Sequence, residues 1–244
     1  MRIIGLDAAA DLANFGCVVC SYAGGVLGLE DKRLLGSPAG EAALSALVGD
    51  GSERILIAID APLGWPAPLV NCLKLHRAGG PLATAPNDLF RRETDKWVKR
   101  VIGKQPLDIG GDKIARASWQ ALSVLNRLRA ASGQPIPLAW GPDFAHRVAA
   151  IEVYPAATLA ANGLISTGYK EAERGIDARR ALAQSMALAD RAPWLSELIH
   201  AKTDIFDAGL CAVAGADSLD GLACAPEDQP LAEKESWIWV RAPR

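Results

Sequence analysis

The sequence predicts an α/β domain: a mixed central sheet flanked by helices, with an α-helical insertion. Three observations lead there. Short β-branched apolar runs alternate with capped amphipathic segments, the pattern of strands connected by helices. Three of those runs carry a carboxylate at or near their C-terminal end. Between them, about 65–146, Gly, Pro, Trp and charge accumulate and no strong strand pattern appears. The 244 residues suit a single domain, read as 1–244 with the insertion inside it. Half the residues are hydrophobic and 22% are charged, which excludes wholesale disorder.

The elements follow in order. RIIGLD (2–7) is a short apolar strand ending in an acid. FGCVVCSY (15–22) is a second strand, and a weaker third falls near 25–35. Ser37-Pro38 opens a helix over about 38–48, Ser as N-cap and Pro at the first helical position. ILIAID (55–60) is the most clearly buried strand and runs straight into the turn Ala61-Pro62-Leu63-Gly64. Within the insertion, helices are expected near 67–77, 93–102 and 112–131, the last capped by Asp112. RVAAIEVYP (147–155) reads as a strand followed by a helix starting at Pro155. Helices are expected over about 176–190 and over 203–217 with Thr203 as N-cap, and SWIWV (236–240) reads as a late edge strand.

Composition excludes several functions. A net charge of −2 argues against a generic nucleic-acid-coating surface. MRIIGLD lacks an export-signal core and no stretch is long and apolar enough to span a bilayer, so a cytoplasmic address and no membrane partner are expected. Cys17, Cys20, Cys72, Cys211 and Cys224 are an odd set, which disfavours a disulfide framework. Cys17 and Cys20 form a CxxC, but residues three apart on a strand face opposite sides, so buried thiols are expected there. His76, His146 and His200 are scattered without metal-ligand spacing. No GxxxxGK[ST], GxGxxG or GxSxG occurs, and Cys72 near His76 is mere adjacency.

The chemistry gathers in the acids. Asp7, Asp60 and Glu152 sit at strand ends, where open α/β sheets collect their sites. Asp204 and Asp207 are three apart on one helical face, in a helix rich in Ala and Gly that can approach a sheet closely. Each acid has a plain structural reading as a turn or cap residue. Together they read as ligands for a hard divalent cation, Mg²⁺ or Mn²⁺. Residues 91–116 add a local excess of positive charge around Trp97 and Trp119, readable as a phosphate-holding patch or as a solvated helix face over core tryptophans.

The ordered set GLDAA, AIDAPLG, RRETD, IEVYPA, GYK and DIFDA resembles domain-of-unknown-function family 429, a family of predicted nucleases with an RNase H-like fold. The resemblance spans about 1–217. It implies an RNase H-like sheet order and a metal-dependent nuclease. Asp7 is then the first-strand aspartate, Asp60 the central-strand acid, Asp207 the helix acid with Asp204 beside it, and Glu152 a further site acid. Lys170 becomes a charge stabiliser, and Arg92, Thr94, Asp95 and Lys96 of the RRETD region become substrate-binding positions. The implied partner is nucleic acid, and a homodimer is allowed. Two other readings stand beside this one. An actin- or sugar-kinase-like phosphotransferase would need a glycine-rich phosphate loop, whereas Ala8-Ala9-Ala10 follows Asp7. A non-catalytic scaffold would keep the acids only for folding.

Overall fold

The computed structural model describes residues 1–74, 76–171 and 173–243. Among them, five strands form one mixed sheet in the order β3-β2-β1-β4-β5. β1 (Arg2–Asp7), β2 (Gly16–Ala23) and β3 (Val26–Leu34) make an antiparallel meander. β4 (Ile55–Asp60) and β5 (Val148–Glu152) then add in parallel on the other side of β1. A mixed sheet flanked by helices is the α/β architecture an RNase H-like fold requires. β3 is hard to see in sequence because it is a charged edge strand, with Glu30, Asp31, Lys32 and Arg33 in succession. Such charge is how edges avoid further pairing, and a register shift between Val19 and Cys20 bends its partner.

Helices cover both faces. One face, with Ile4, Leu6, Cys17, Val19, Ile57 and Ile59, packs under α1 (Pro38–Gly49) and α5 (Asp112–Ser132). The Ser37 hydroxyl accepts from the Gly40 amide at 3.1 Å, capping α1. The other face carries α9 (Thr203–Leu219), buried along nearly its whole length. Small residues bring this helix close: a Cβ on Gly5 would lie 1.9 Å from the Ala208 carbonyl oxygen. Cys17 and Cys20 fall on opposite faces, as strand alternation requires, and burial pushes the Cys17 thiol up to about 12.

The 65–146 block supplies α2 (Ala67–Leu73), α3 (Pro86–Phe90), α4 (Glu93–Ile102) and α5. The expected helix 67–77 stops at Leu73, and Leu75 lies outside the described residues. α5 forms a layer of the main core, through Val124, Leu125 and Leu128. After β5 come α6 (Pro155–Ala161), α7 (Gly175–Gln184), α8 (Met186–Ala189) and α9, then α10 (Gln229–Glu235).

Four local expectations need correction. Gly111, not Asp112, holds the N-cap position of α5, and Asp112 instead pairs with Arg116 at 2.8 Å. Lys202, not Thr203, is the N-cap of α9. The helix expected over 176–190 breaks at Ser185, whose backbone is extended and whose hydroxyl donates to the Leu182 carbonyl. SWIWV forms a single parallel bridge, Glu152 to Ile238, rather than a regular strand. It is buried because the Thr94 hydroxyl accepts from the Ile238 amide at 2.8 Å and Trp97 packs on Trp237, ring centroids 5.4 Å apart. Among the described residues, no helix is long and apolar enough to cross a membrane.

Candidate active site

Strand pairing places the first two acids. Asp7 and Asp60 are register partners at the C-terminal ends of the adjacent parallel strands β1 and β4. Both share the face that carries Ile3 and Ala58, which is the α9 side. Gly5 lets α9 down onto that face, and Asp207, 1% exposed, comes to rest among them. Asp204, one turn earlier, lies close enough that its charge raises the pKa of both Asp7 and Asp207. Four of the expected acids therefore form one electrostatic cluster.

The cluster is short of positive charge. Among the described residues, Lys170 supplies its cation, in an ion pair with Asp207 Oδ2. The Tyr169 hydroxyl lies beside the same carboxylate and favours its charged form. Burial, and then the charges of Asp207 and Asp60, hold the Asp7 carboxyl well above the usual carboxylate range. Burial raises Asp60 to about 7, with Asp207 and Glu152 pushing the same way and Lys170 opposing. A hydrogen bond from protonated Asp7 also favours the Asp60 carboxylate. Burial raises Asp207 too, against the pull of Lys170. The three carboxylates strongly hold Lys170 in its charged form against burial. Beside Asp207, burial and its negative charge push the Tyr169 phenol far up.

Glu152 is placed differently. Its register partner on β4 is Ile59, so by alternation it faces the α1/α5 side rather than the α9 side. Both of its oxygens are taken by the Arg92 guanidinium, each at 2.7 Å, and Oε2 also accepts from the Leu63 amide at 2.9 Å. Arg92, 1% exposed, spends its remaining donors on Asp95 and on the Glu235 carbonyl. Asp95 in turn accepts from the Arg92 amide, and Thr94 holds Ile238. The expected substrate-binding triplet is thus a buried clamp joining α4, β5 and the C-terminal segment. Lys96 pairs on the surface with Asp88 at 2.8 Å. Glu235 carries no sequence signal in the polar run QPLAEKE, yet it accepts from the Ala67 and Glu93 amides and so ties the starts of α2 and α4 together.

The basic excess also resolves into pairs. Arg91 with Asp108, Arg92 with Asp95 and Glu152, Lys96 with Asp88, and Arg116 with Asp112 are ion pairs. Lys99, Arg100, Lys104 and Lys113 form none among the described residues. Trp97 belongs to the core, whereas Trp119 is 63% exposed.

Asp7, Asp60, Glu152, Arg92 and Lys170 line a pocket of about 480 Å³, walled by Pro62, Pro106, Leu107, Ile114 and Tyr154. As the side chains lie, no group of three or more His, Cys, Asp or Glu among the described residues is arranged to hold an ion. Lys170 stands in the acid cluster instead. The donor chemistry is nevertheless that of a hard cation's ligands: carboxylates that burial and mutual repulsion leave with one shared cation. Asp7, Asp60 and Asp207 fit that role. Glu152, fully engaged by Arg92, does not.

No curated protein matches the chain. A match over residues 11–231 places it in the family described as "Protein of unknown function (DUF429)", and the chain belongs to that family.

Proposed function

We propose that this protein is a metal-dependent phosphodiesterase acting on nucleic acid. The observation that carries the reading is the Asp7–Asp60–Asp207 cluster at the parallel strand ends, buried, mutually repelling and balanced by Lys170. Asp7, Asp60 and Asp207 would hold Mg²⁺ or Mn²⁺, with Asp204 adding to the negative field. When bound, one or two such ions activate water and stabilise the leaving oxygen of an in-line displacement. Lys170, 54% exposed along its side chain and paired with Asp207, would offset charge on the scissile phosphate. Arg92 and Glu152 fix the wall beside Asp60 as positioning residues. The five free cysteines suit a reducing, cytoplasmic setting.

The test is cleavage of labelled single-stranded, duplex, hybrid and branched nucleic acids in Mn²⁺ and in Mg²⁺. Wild type and Asp7→Asn from matched preparations run side by side. Metal-dependent cleavage lost in the variant supports the reading. Equal cleavage by both proteins, or none on any substrate, overturns it.

A further inference from the structure

We infer that the pocket admits one nucleotide of a small phosphodiester or of an unpaired strand, and excludes the interior of a duplex; this rests on the reading just given. Size is the first ground. The pocket measures about 480 Å³, inside the span of roughly 300–1,000 Å³ typical of small-molecule sites. Duplex-binding surfaces are instead broad and strongly positive.

Charge is the second ground. A surface that tracks a duplex backbone needs many Lys and Arg free for phosphates. Here half of the basic residues over 91–116 are committed to ion pairs. Of Lys99, Arg100, Lys104 and Lys113, Lys104 alone reaches the pocket lining.

Shape and chemistry agree. The Lys104 ammonium donates to the Ser166 carbonyl at 3.4 Å, joining the segment after α4 to the segment before Lys170. Both residues of that link line the pocket. Acids lie at the floor and apolar groups in the walls, including Leu107, itself 69% exposed. Pro62, Pro106, Leu107, Ile114 and Tyr154 offer a face for one base. Lys104 and Lys170 offer charge for one phosphate. This is the division a nucleotide asks for, an apolar surface for its base and cations for its phosphate.

The test is equilibrium binding in Mn²⁺ of a fluorescent dinucleotide with a phosphorothioate linkage. Competitors are an unlabelled single strand and a duplex whose ends are closed by hairpins. Mn²⁺ affinity is measured separately by titration. The expected result is binding of dinucleotide and single strand, with the closed duplex weaker by about tenfold or more. A single strand tighter than the dinucleotide assigns strands as the source; the reverse assigns a free small diester. Leu107→Glu, at an exposed position, is expected to weaken both by about tenfold. A closed duplex that competes as well as the dinucleotide overturns the inference, as does indifference to Leu107→Glu. Mn²⁺ binding without dinucleotide binding sinks the inference and leaves the metal reading standing. Dinucleotide binding without Mn²⁺ affinity does the opposite.

Discussion

Two buried clusters of carboxylates meet at the C-terminal ends of the parallel strands, and they are built on opposite principles. On the α4 side, Asp95 and Glu152 meet a guanidinium whose donors are all engaged, and the neighbouring Glu235 carboxylate is held by two backbone amides. On the α9 side, Asp7, Asp60 and Asp207 share one cation, Lys170. The first cluster is satisfied and joins three chain segments, so its energy goes into the fold. The second is frustrated, its carboxyl pKa values raised, and both clusters border the same pocket. Buried polar groups that a protein leaves underpaired mark sites where a ligand completes the set.

The contrast can be broken most sharply at Arg92. Arg92→Ala strands Asp95 and Glu152 in the interior without their cation. The expected loss is about 3–5 kcal/mol, read as a lowered urea midpoint. A loss under about 1 kcal/mol would mean the clamp is no more than a surface pair.

Next in size is the pH dependence of the frustrated cluster. Asp60 titrates near 7 in the folded protein against an ordinary value of 3.8, facing Asp7, Asp207, Glu152, Lys170 and Tyr154. Between those values the folded state holds the extra proton, so stability falls as pH rises from about 4 to 7 and then levels. Without metal, the Asp60 contribution should lose on the order of 2 kcal/mol across that window. This is below the full linkage value because the carboxyl lines an open pocket. The difference in unfolding free energy between wild type and Asp60→Asn, followed against pH, isolates it from the other acids. A flat difference removes the proposed strain.

Asp7→Asn sharpens the same point from the other side. Asp7 has to be held protonated against its ordinary value, and a neutral amide avoids that cost, so the metal-free variant should be more stable than wild type at neutral pH by about 1 kcal/mol. The same change should erase the rise in Tm that Mn²⁺ gives wild type. A variant that keeps the Mn²⁺ response would move the metal elsewhere. The smallest effect is expected at Lys96→Ala, within about 0.5 kcal/mol of wild type, because the pair with Asp88 is solvent-screened. If it also leaves nucleotide binding unchanged, Lys96 drops out of the substrate-contact set.

Much of the fold was legible residue by residue. β1, β2 and β4 declare themselves by unbroken apolar runs, and α1 by Ser37-Pro38, because alternation and capping act over a few residues. β3 was faint because its charge answers an edge's need rather than a core's. The α7/α8 break was hidden because a single serine hydroxyl turning back on its own carbonyl decides it.

The site divides along the same line. That Asp7, Asp60 and Asp207 carry unusual acids in apolar elements follows from sequence alone, since burying an acid in such surroundings has a cost wherever the chain goes. Tyr169 could have been noticed as the aromatic half of GYK. What the tertiary structure alone decided is which carboxylate meets which cation. The parity of Glu152 depends on its pairing with Ile59, and a shift by one residue would turn it toward α9. Its partner Arg92 is 60 residues away, and Glu235 reaches Ala67 across 168. Local propensity acts through neighbours along the chain, whereas charge compensation in a core acts through neighbours in space. The sequence therefore determined which residues had to be reconciled with burial, and the packing of α4, α9 and the C-terminal segment decided that Glu152 would meet its own guanidinium while Asp7, Asp60 and Asp207 would share one lysine.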